Sequence, residues 1–518
     1  MKHILICILL SSLFGCGGSS SGGTSNKSSS SSLSAMNSSA SSSSIPSSST
    51  QSSSSSLLAS SVISGIISSS LASSSSSNQM TSSSVLSLPA SSSLGVSSSL
   101  SMTSSSVSSK STSSNSSDDR VFIPVSIQSE INRVQPMTGL VFWNDNSNAL
   151  NGLGQDVQLE FSYMLYSEVV TTIGTYNWNS VDTKLAQAAA RGHQMIFRFR
   201  DTYPGITQRS IPNNLPSMIS QVEGQNTFIP DWSSTDLQAF ILDFFTKFSE
   251  RYDNDARLAF IQVGFGSYSE YHLYDGNPEL GKNFPSKSFQ TTFLNHIAGK
   301  FSKIPWSVSI DAASSEYSPI PASNSLKNLA FGLFDDSFMH ESHSENDNEY
   351  NRESWLFFGA NRYQTSPAGG EFSYYTAYDQ EHVLDLPNGP HGRSFENFAS
   401  QYHITYMIGN DQYEHQTKAR IKAASMATGY AFRVTKLESN KETVRISIRN
   451  EGIAPIYYDA YPSINDQRTS NSLKGLLPNN TRDFEITIGE HNPLDLILKI
   501  ESDRLVTGQV IQFNADLD

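Results

Sequence analysis

The chain predicts a (β/α)8 barrel of the TIM type, an α/β fold, followed by a small antiparallel β-sandwich. Three observations carry that expectation. Short apolar runs alternate with helical patterns from Gly139 to Tyr430, two of the runs end at a glutamate, and beyond Tyr430 the pattern changes to period two. No Gly-rich phosphate loop follows any run, which argues against an open nucleotide-binding sheet.

The N-terminal segment lies outside that pattern. Met1-Lys2-His3, an apolar stretch from Ile4 to Leu13, and Leu13-Phe14-Gly15-Cys16 read as an export signal over residues 1–16. The stretch is too short to span a bilayer. Leu-x-Gly-Cys resembles the bacterial lipobox, which implies lipidation of Cys16. Gly17 in place of Asp favours the outer membrane, with the folded part surface-exposed or facing the periplasm; a plain secretory signal is the alternative. Residues 17–118 are about half serine. They have too little apolar surface to offset the entropy of ordering, so a disordered tether is expected, with a root-mean-square reach of ~50–60 Å. Such polyserine linkers resemble those joining modules in bacterial enzymes that degrade plant cell walls.

Cys7 and Cys16 are the only cysteines. The domains beyond the tether therefore have no disulfide and no Cys-based metal site, and their stability must come from packing. All 48 acids lie from Asp118 onward, with all but three of the 34 bases, Lys2, Lys27 and Lys110. So acidic a domain is a poor match for nucleic acid or anionic lipid and fits a neutral substrate better.

Taken in order, the barrel domain (119–430) opens with strands at Gly139 to Trp143 and Leu159 to Tyr166. A helix over Val181, Leu185 and Ala188 ends at Arg191-Gly192. The run Met195-Ile-Phe-Arg198-Phe-Arg200 puts both arginines on one strand face. Asp236 to Tyr252 is amphipathic, with Leu237, Phe240, Phe244 and Phe248 on one side. Further strands are expected at Leu258 to Gly264, Trp306 to Asp311, Leu329 to Phe334, Gly369 to Phe372 and His403 to Ile408, with a helix at Ser288 to Ser302. In the sandwich (431–518), strands are read at Ala431 to Leu437, Thr443 to Arg449, Phe484 to Ile488 and Leu494 to Ile500, separated by Gly, Asn and Pro turns.

The chemistry centres on Gly266-Ser-Tyr-Ser-Glu270-Tyr-His272 and Gly369-Gly370-Glu371. An acid at the C-terminal end of a barrel strand sits where barrel active sites form. Two such acids suggest glycosidic cleavage, with Glu270 as acid/base and Glu371 as nucleophile. These segments, with Asn132-Arg133-Val-Gln-Pro136-Met-Thr-Gly139, resemble a family of bacterial proteins, the DUF4832 domain and its DUF4874 partner, usually described as glycoside-hydrolase-like barrels. The resemblance covers about Ile131 to Thr487 and supports fold more than substrate. By position, Glu270 and Glu371 also resemble the acid/base after strand four and the nucleophile near strand seven of a large clan of retaining glycosidases. That clan has Asn before its acid/base, and this chain has Ser269.

Around the pair, Arg198 and Arg200 could hold a carboxylate ionised, bind a sugar acid, or merely pair with acids beneath the rim. Asp201 and Tyr203 follow them; Asp335 and Asp336 end strand six and are reserve catalytic or sugar-binding residues. His272 could orient Glu270 or be structural, and His403 is expected to be structural. Trp143, Tyr203, Tyr268, Tyr271, Tyr274, Trp355, Tyr363, Tyr374, Tyr375 and Tyr378 offer flat faces for sugar rings. The oxygen-rich loop from His340 to Glu349 could bind Ca²⁺, and its histidine pair a transition metal, but it lacks an ordered calcium-loop pattern, so a solvated loop is the better expectation, with no cofactor. The expected protein is thus a monomeric, lipid-anchored glycoside hydrolase acting on polysaccharide or oligosaccharide. The alternatives are a non-catalytic glycan-binding surface lipoprotein, or a hydrolase that uses Asp335 or Asp336.

Overall fold

The computed structural model describes residues 121–273, 277–340 and 350–518. Cys16, the serine-rich segment, Tyr274 and residues 341–349 lie outside the described residues.

Eight parallel strands close into a barrel: β1 (Gly139–Trp143), β2 (Leu159–Leu165), β3 (Gln194–Arg200), β4 (Leu258–Gln262), β5 (Trp306–Ser309), β6 (Gly332–Phe338), β7 (Ala368–Phe372) and β8 (Tyr406–Ile408). Closure is direct, with Ile408 of β8 paired to Val141 of β1. Helices follow the strands: α1 (Ser147–Leu153), α2 (Asn179–Arg191), α3 (Thr235–Tyr252), α4 (Lys287–Lys300), α5 (Tyr350–Phe358), α6 (Phe395–Tyr402) and α7 (Lys418–Met426). None of the helices in the described residues is long and apolar enough to cross a membrane.

The alternation of β3 shows how the layers form. Phe197 and Phe199 join the cluster between strands and helices, and Phe199 meets Phe244 of α3 edge-on at 4.7 Å. Ile196 belongs instead to the second cluster, and Arg198 lies among the interior rings of Phe161 and Phe334. The Ser234 hydroxyl caps α3 by accepting from the Leu237 N–H at 3.2 Å. Its buried face includes Phe240, Phe244, Phe245 and Phe248. Burying each phenylalanine contributes roughly 1.5–3 kcal/mol, which fixes α3 against β3 and so fixes the arginines on the opposite face.

The C-terminal region has two sheets. In the larger, β9 (Phe432–Ser439), β10 (Thr443–Asn450), β12 (Thr481–Thr487) and β14 (Phe513–Leu517) run in the order β12-β10-β9-β14; in the smaller, β11 (Tyr461–Ile464) pairs with β13 (Leu498–Glu501). Pairing is antiparallel except between β9 and β14, which run parallel. The strands Ile123–Pro124 and Ile127–Ser129 pair with β9 and β14, so this sheet draws on residues placed before the barrel in sequence.

The sheets close the barrel floor. Tyr458 stacks on Phe260 with ring centres 6.2 Å apart and donates its hydroxyl to the Ala259 carbonyl. Arg504 donates from one nitrogen to the carbonyls of Asp255 and Leu258, at 2.8 and 2.9 Å. Barrel-interior residues and sheet residues consequently share one apolar cluster.

Two expectations are corrected. Strand six runs to Phe338, so Asp335 and Asp336 lie within it and alternation sends them to opposite faces. His403 does not start strand eight; it ends α6 in a left-handed conformation, stacks on Tyr363 at 3.5 Å and bonds the Ile453 carbonyl at 2.6 Å.

Candidate active site

Arg198 anchors the centre of the barrel and is fully buried. Its Nε and Nη2 donate to the Gln262 side-chain oxygen at 2.8 and 2.6 Å, and both terminal nitrogens reach Asp336, at 2.6 and 3.1 Å. Nη1 also meets the Tyr163 hydroxyl at 3.0 Å, the Tyr268 carbonyl at 3.2 Å and Glu270 Oε1 at 3.3 Å. Every nitrogen is thus engaged by protein; of the three expectations for Arg198, this geometry matches pairing with acids, here Asp336 and Glu270. Gln262 passes the network on to the Tyr406 hydroxyl at 2.9 Å, tying β3, β4, β6 and β8 together beneath the mouth.

Glu270 follows β4 on a tightly wound loop. Gly266, Tyr268, Ser269 and Tyr271 all have left-handed φ, between 55° and 79°. Three of these are non-glycine, and such strain, of order 1–3 kcal/mol each, persists only where surroundings enforce it. Here Ser269 Oγ donates to the Phe199 carbonyl at 3.0 Å and Tyr271 is wholly buried. A Cβ on Gly264 would stand 1.8 Å from the Ser269 carbonyl oxygen, so only glycine permits the turn that lifts Glu270 to the mouth. The Glu270 side chain is 16% exposed. Burial, followed by the negative charge of Asp336, pushes its carboxyl well above the usual range, against the opposing pull of Arg198.

Glu371 comes from β7. The preceding Gly369 and Gly370 let that strand press against its neighbours: a Cβ on the first would meet the Tyr406 ring at 2.4 Å, and on the second the Asp335 carbonyl oxygen at 1.9 Å. Burial and then Asp336 push the Glu371 carboxyl up, while Arg198 and the Trp143 indole favour its charged form. Glu270 and Glu371 therefore feel the same two groups, Asp336 and Arg198.

His272 is 3% exposed, and burial pushes its pKa down to about 3. The ring is neutral, so its approaches to Glu270 at 3.4 Å and Asp311 at 3.7 Å are polar contacts between neutral imidazole and carboxyl groups, not ion pairs. Glu270, His272 and Asp311 together present ligand atoms within 4.8 Å of one another, a donor set that suits a divalent cation.

The remaining sequence candidates divide. Trp143 packs edge-on to Phe161 at 5.3 Å beside Glu371. Tyr203 meets Tyr268 edge-on at 4.7 Å, and Arg200 lies over the Tyr203 ring at 4.6 Å. Burial, then Arg200 in opposition and the charges of Glu371 and Glu270, leaves the Tyr203 hydroxyl pushed up to about 12. Tyr374 is biased upward by burial, then by Glu371 and Asp411. These side chains flank the carboxylates. Asp201 instead braces the loop below the rim, accepting from the Gly266 N–H at 3.1 Å; burial pushes its carboxyl up to about 7. Asp335 faces the helices, accepting from the Trp355 indole and Asn351 amide at 3.0 Å each, which removes it and Trp355 from the site. Tyr271 and Tyr363 serve packing as well.

Sequence reasoning missed Asp311, Asp411 and Glu223. The first two stand two and three residues past β5 and β8, so the strand-end rule that selected Glu270 would have found them. Glu223 lies at the turn of a hairpin (Ser217–Val222 with Gln225–Pro230) in the loop after β3, and its carboxylate reaches the Tyr268 hydroxyl at 3.5 Å. The Glu223-Gly224 pair between two alternating runs was its signal.

No family model and no curated protein matches the chain. Solved structures similar to it include a GH30 endoxylanase from Clostridium papyrosolvens (8% identity, TM-score 0.36, covering 70% of this chain and 95% of that one). An endo-glycoceramidase II from Rhodococcus has 10% identity and a TM-score of 0.33, covering 71% and 100%. A GH5_18 protein from Bifidobacterium longum has 9% identity and a TM-score of 0.35, covering 53% and 70%. At these scores the likenesses carry no weight of their own, and the barrel rests on its strand pairing.

Proposed function

We propose that the protein is a retaining glycoside hydrolase. The observation that supports this reading best is the sharing of Arg198 and Asp336 by two carboxyls at the strand ends of one barrel, Glu270 after β4 and Glu371 on β7. Glu270 has the environment of a general acid, because burial beside a second carboxylate keeps it protonated at a pH where an exposed glutamate is charged. It donates that proton to the glycosidic oxygen as the bond to the anomeric carbon breaks. Burial and Asp336 push the Glu371 carboxyl up as well, against Arg198 and Trp143, so it acts as nucleophile only in the state where it is the ionised member of the pair; in that state it attacks the anomeric carbon to give a glycosyl-enzyme. Glu270, now a carboxylate, takes a proton from the water that releases the sugar. Trp143, Tyr203 and Tyr374 supply ring faces and hydroxyls beside the bond. Membership of the DUF4832-type family and anchoring through Cys16 belong to the same proposal and rest on the sequence motifs.

One observation favours a second reading. A cation held by Glu270, His272 and Asp311 would occupy the proton donor and make the hydrolysis metal-assisted. Proton NMR of the first-released anomer, with and without prior chelation, separates the two. The proposal predicts retention of configuration and full activity after chelation. Inversion would remove Glu371 as nucleophile, and loss restored only by added metal would favour the cation.

A further inference from the structure

The mouth of the barrel is charged almost entirely one way. Among the described residues, the segments that follow the strand ends (144–146, 166–178, 201–234, 263–273, 277–286, 310–323, 339–340, 373–394 and 409–417) contain three Lys or Arg residues, Arg209, Lys282 and Arg393. All three have partners on the protein, Lys282 in an exposed ion pair. Arg209 donates to the carbonyls of Pro212 and Leu215, Lys282 pairs with Glu279 at 2.8 Å, and Arg393 lies over the Phe398 ring at 4.6 Å. Carboxylates, by contrast, occur among the described residues of seven of the eight loops.

The two arginines of β3 do not redress the balance. Arg198 is buried with each nitrogen bound to protein, its charge set against Asp336. Arg200 lies over the Tyr203 ring and is flanked by Glu168 and Asp201. With Asp336 set against Arg198 and Glu270 carrying the acid's proton, the other carboxyls of the mouth are Glu371, Asp311 and Asp411, with Glu223 across Tyr268. A cleft with low-dielectric walls and charge of one sign focuses its field and repels ligands of that sign. Uncharged sugars meet no such barrier, and half-buried Trp143 and Tyr203 offer them ring faces.

We infer that the site accepts uncharged glycans and rejects polyanionic ones, the uronate and sulfate polymers. This deepens the hydrolase reading by naming its substrate class, but it concerns recognition and can stand if the chemistry fails. The test uses the full chain with uncharged polymers (mannan, arabinoxylan, mixed-linkage β-glucan) and anionic ones (polygalacturonate, alginate, chondroitin sulfate). Retention and release of reducing ends are read in parallel at ~20 and ~500 mM salt. The expected result is retention of at least one uncharged polymer, unchanged by salt, and retention of each polyanion weaker by ~tenfold or more at low salt. Retention of an uncharged polymer without cleavage would leave this inference standing and sink the hydrolase reading. Cleavage or comparable retention of a polyanion, above all if Arg200→Ala abolishes it, would overturn the inference. So would failure to retain any uncharged polymer.

Discussion

At the scale of single residues, the proposed function and the stability of the fold pull Glu270 in opposite directions. Its folded-state pKa is raised, so the folded chain holds this proton more tightly than the unfolded chain does. The associated stability is fully present below the ordinary glutamate value and is lost as pH rises through the folded pKa. Glu270→Gln keeps the shape and removes the charge, so its melting temperature should exceed that of the parent at about pH 8 and match it at about pH 4. Thermal unfolding at the two pH values checks this; a lower melting temperature at the higher pH would show that the charge is stabilising. Activity follows the same proton, because a general acid must carry it. Turnover should fall as pH rises through the raised pKa of Glu270, with that limb above the usual carboxylate range.

Some of this was legible in sequence and some was not. Glu371 and Tyr203 stand at or just beyond strand ends, which can be read from apolar runs; Glu270 lies eight residues past β4, so its run gave the right loop but not the wound turn that returns the carboxyl to the mouth. The burial of Arg198 could not be read, because alternation tells which face a residue takes but not that Gln262 and Asp336 wait on that face to engage it. Asp335 and Asp336 show the same limit. Adjacent residues in one strand must separate, yet only packing against Trp355 of α5 identifies which one turns away from the mouth.

Among elements, the segment from Gly264 to His272 is the one on which the site depends most. Its left-handed residues aim Glu270 at Arg198, with Ser269 and Tyr271 serving as buried anchors. Gly264→Ala would force a Cβ into the Ser269 carbonyl and displace the carboxyl, while the interior of β4 stays as it is. A displacement of about 1 Å should lower kcat by roughly 10²-fold with little change in far-ultraviolet circular dichroism. Unimpaired turnover would show that the loop does not set the acid's position. The hairpin after β3 escaped sequence reading because its strands, Ser217–Val222 and Gln225–Pro230, lie in a connection between barrel elements, where the helix-strand alternation gives no place for a further pair. The strands at Ile123 and Ile127 were hidden for a different reason: their partners lie more than three hundred residues away, beyond the reach of any local pattern.

For the molecule as a whole, the C-terminal sheets act as the floor that the mouth requires. A barrel interior carrying a buried arginine and several carboxyls near its upper end needs a well-packed lower end, and Phe260, Tyr458 and Arg504 provide it. Arg504→Ala removes a charged donor from two backbone carbonyls and should cost about 3 kcal/mol of stability. Chemical denaturation reads that loss, and the pH profile of whatever activity remains should be unchanged, since the substitution is remote from Glu270. A shifted profile would mean that the floor tunes the site as well as supporting it. Acid catalysis by Glu270 on a glycosidic bond is tested by the release of reducing ends from a polysaccharide panel by the parent chain and by Glu270→Gln. Release by the parent is expected, with a fall of roughly 10²–10⁴-fold in the variant and retention of the polymer intact; equal release by both proteins would show that Glu270 is not the acid.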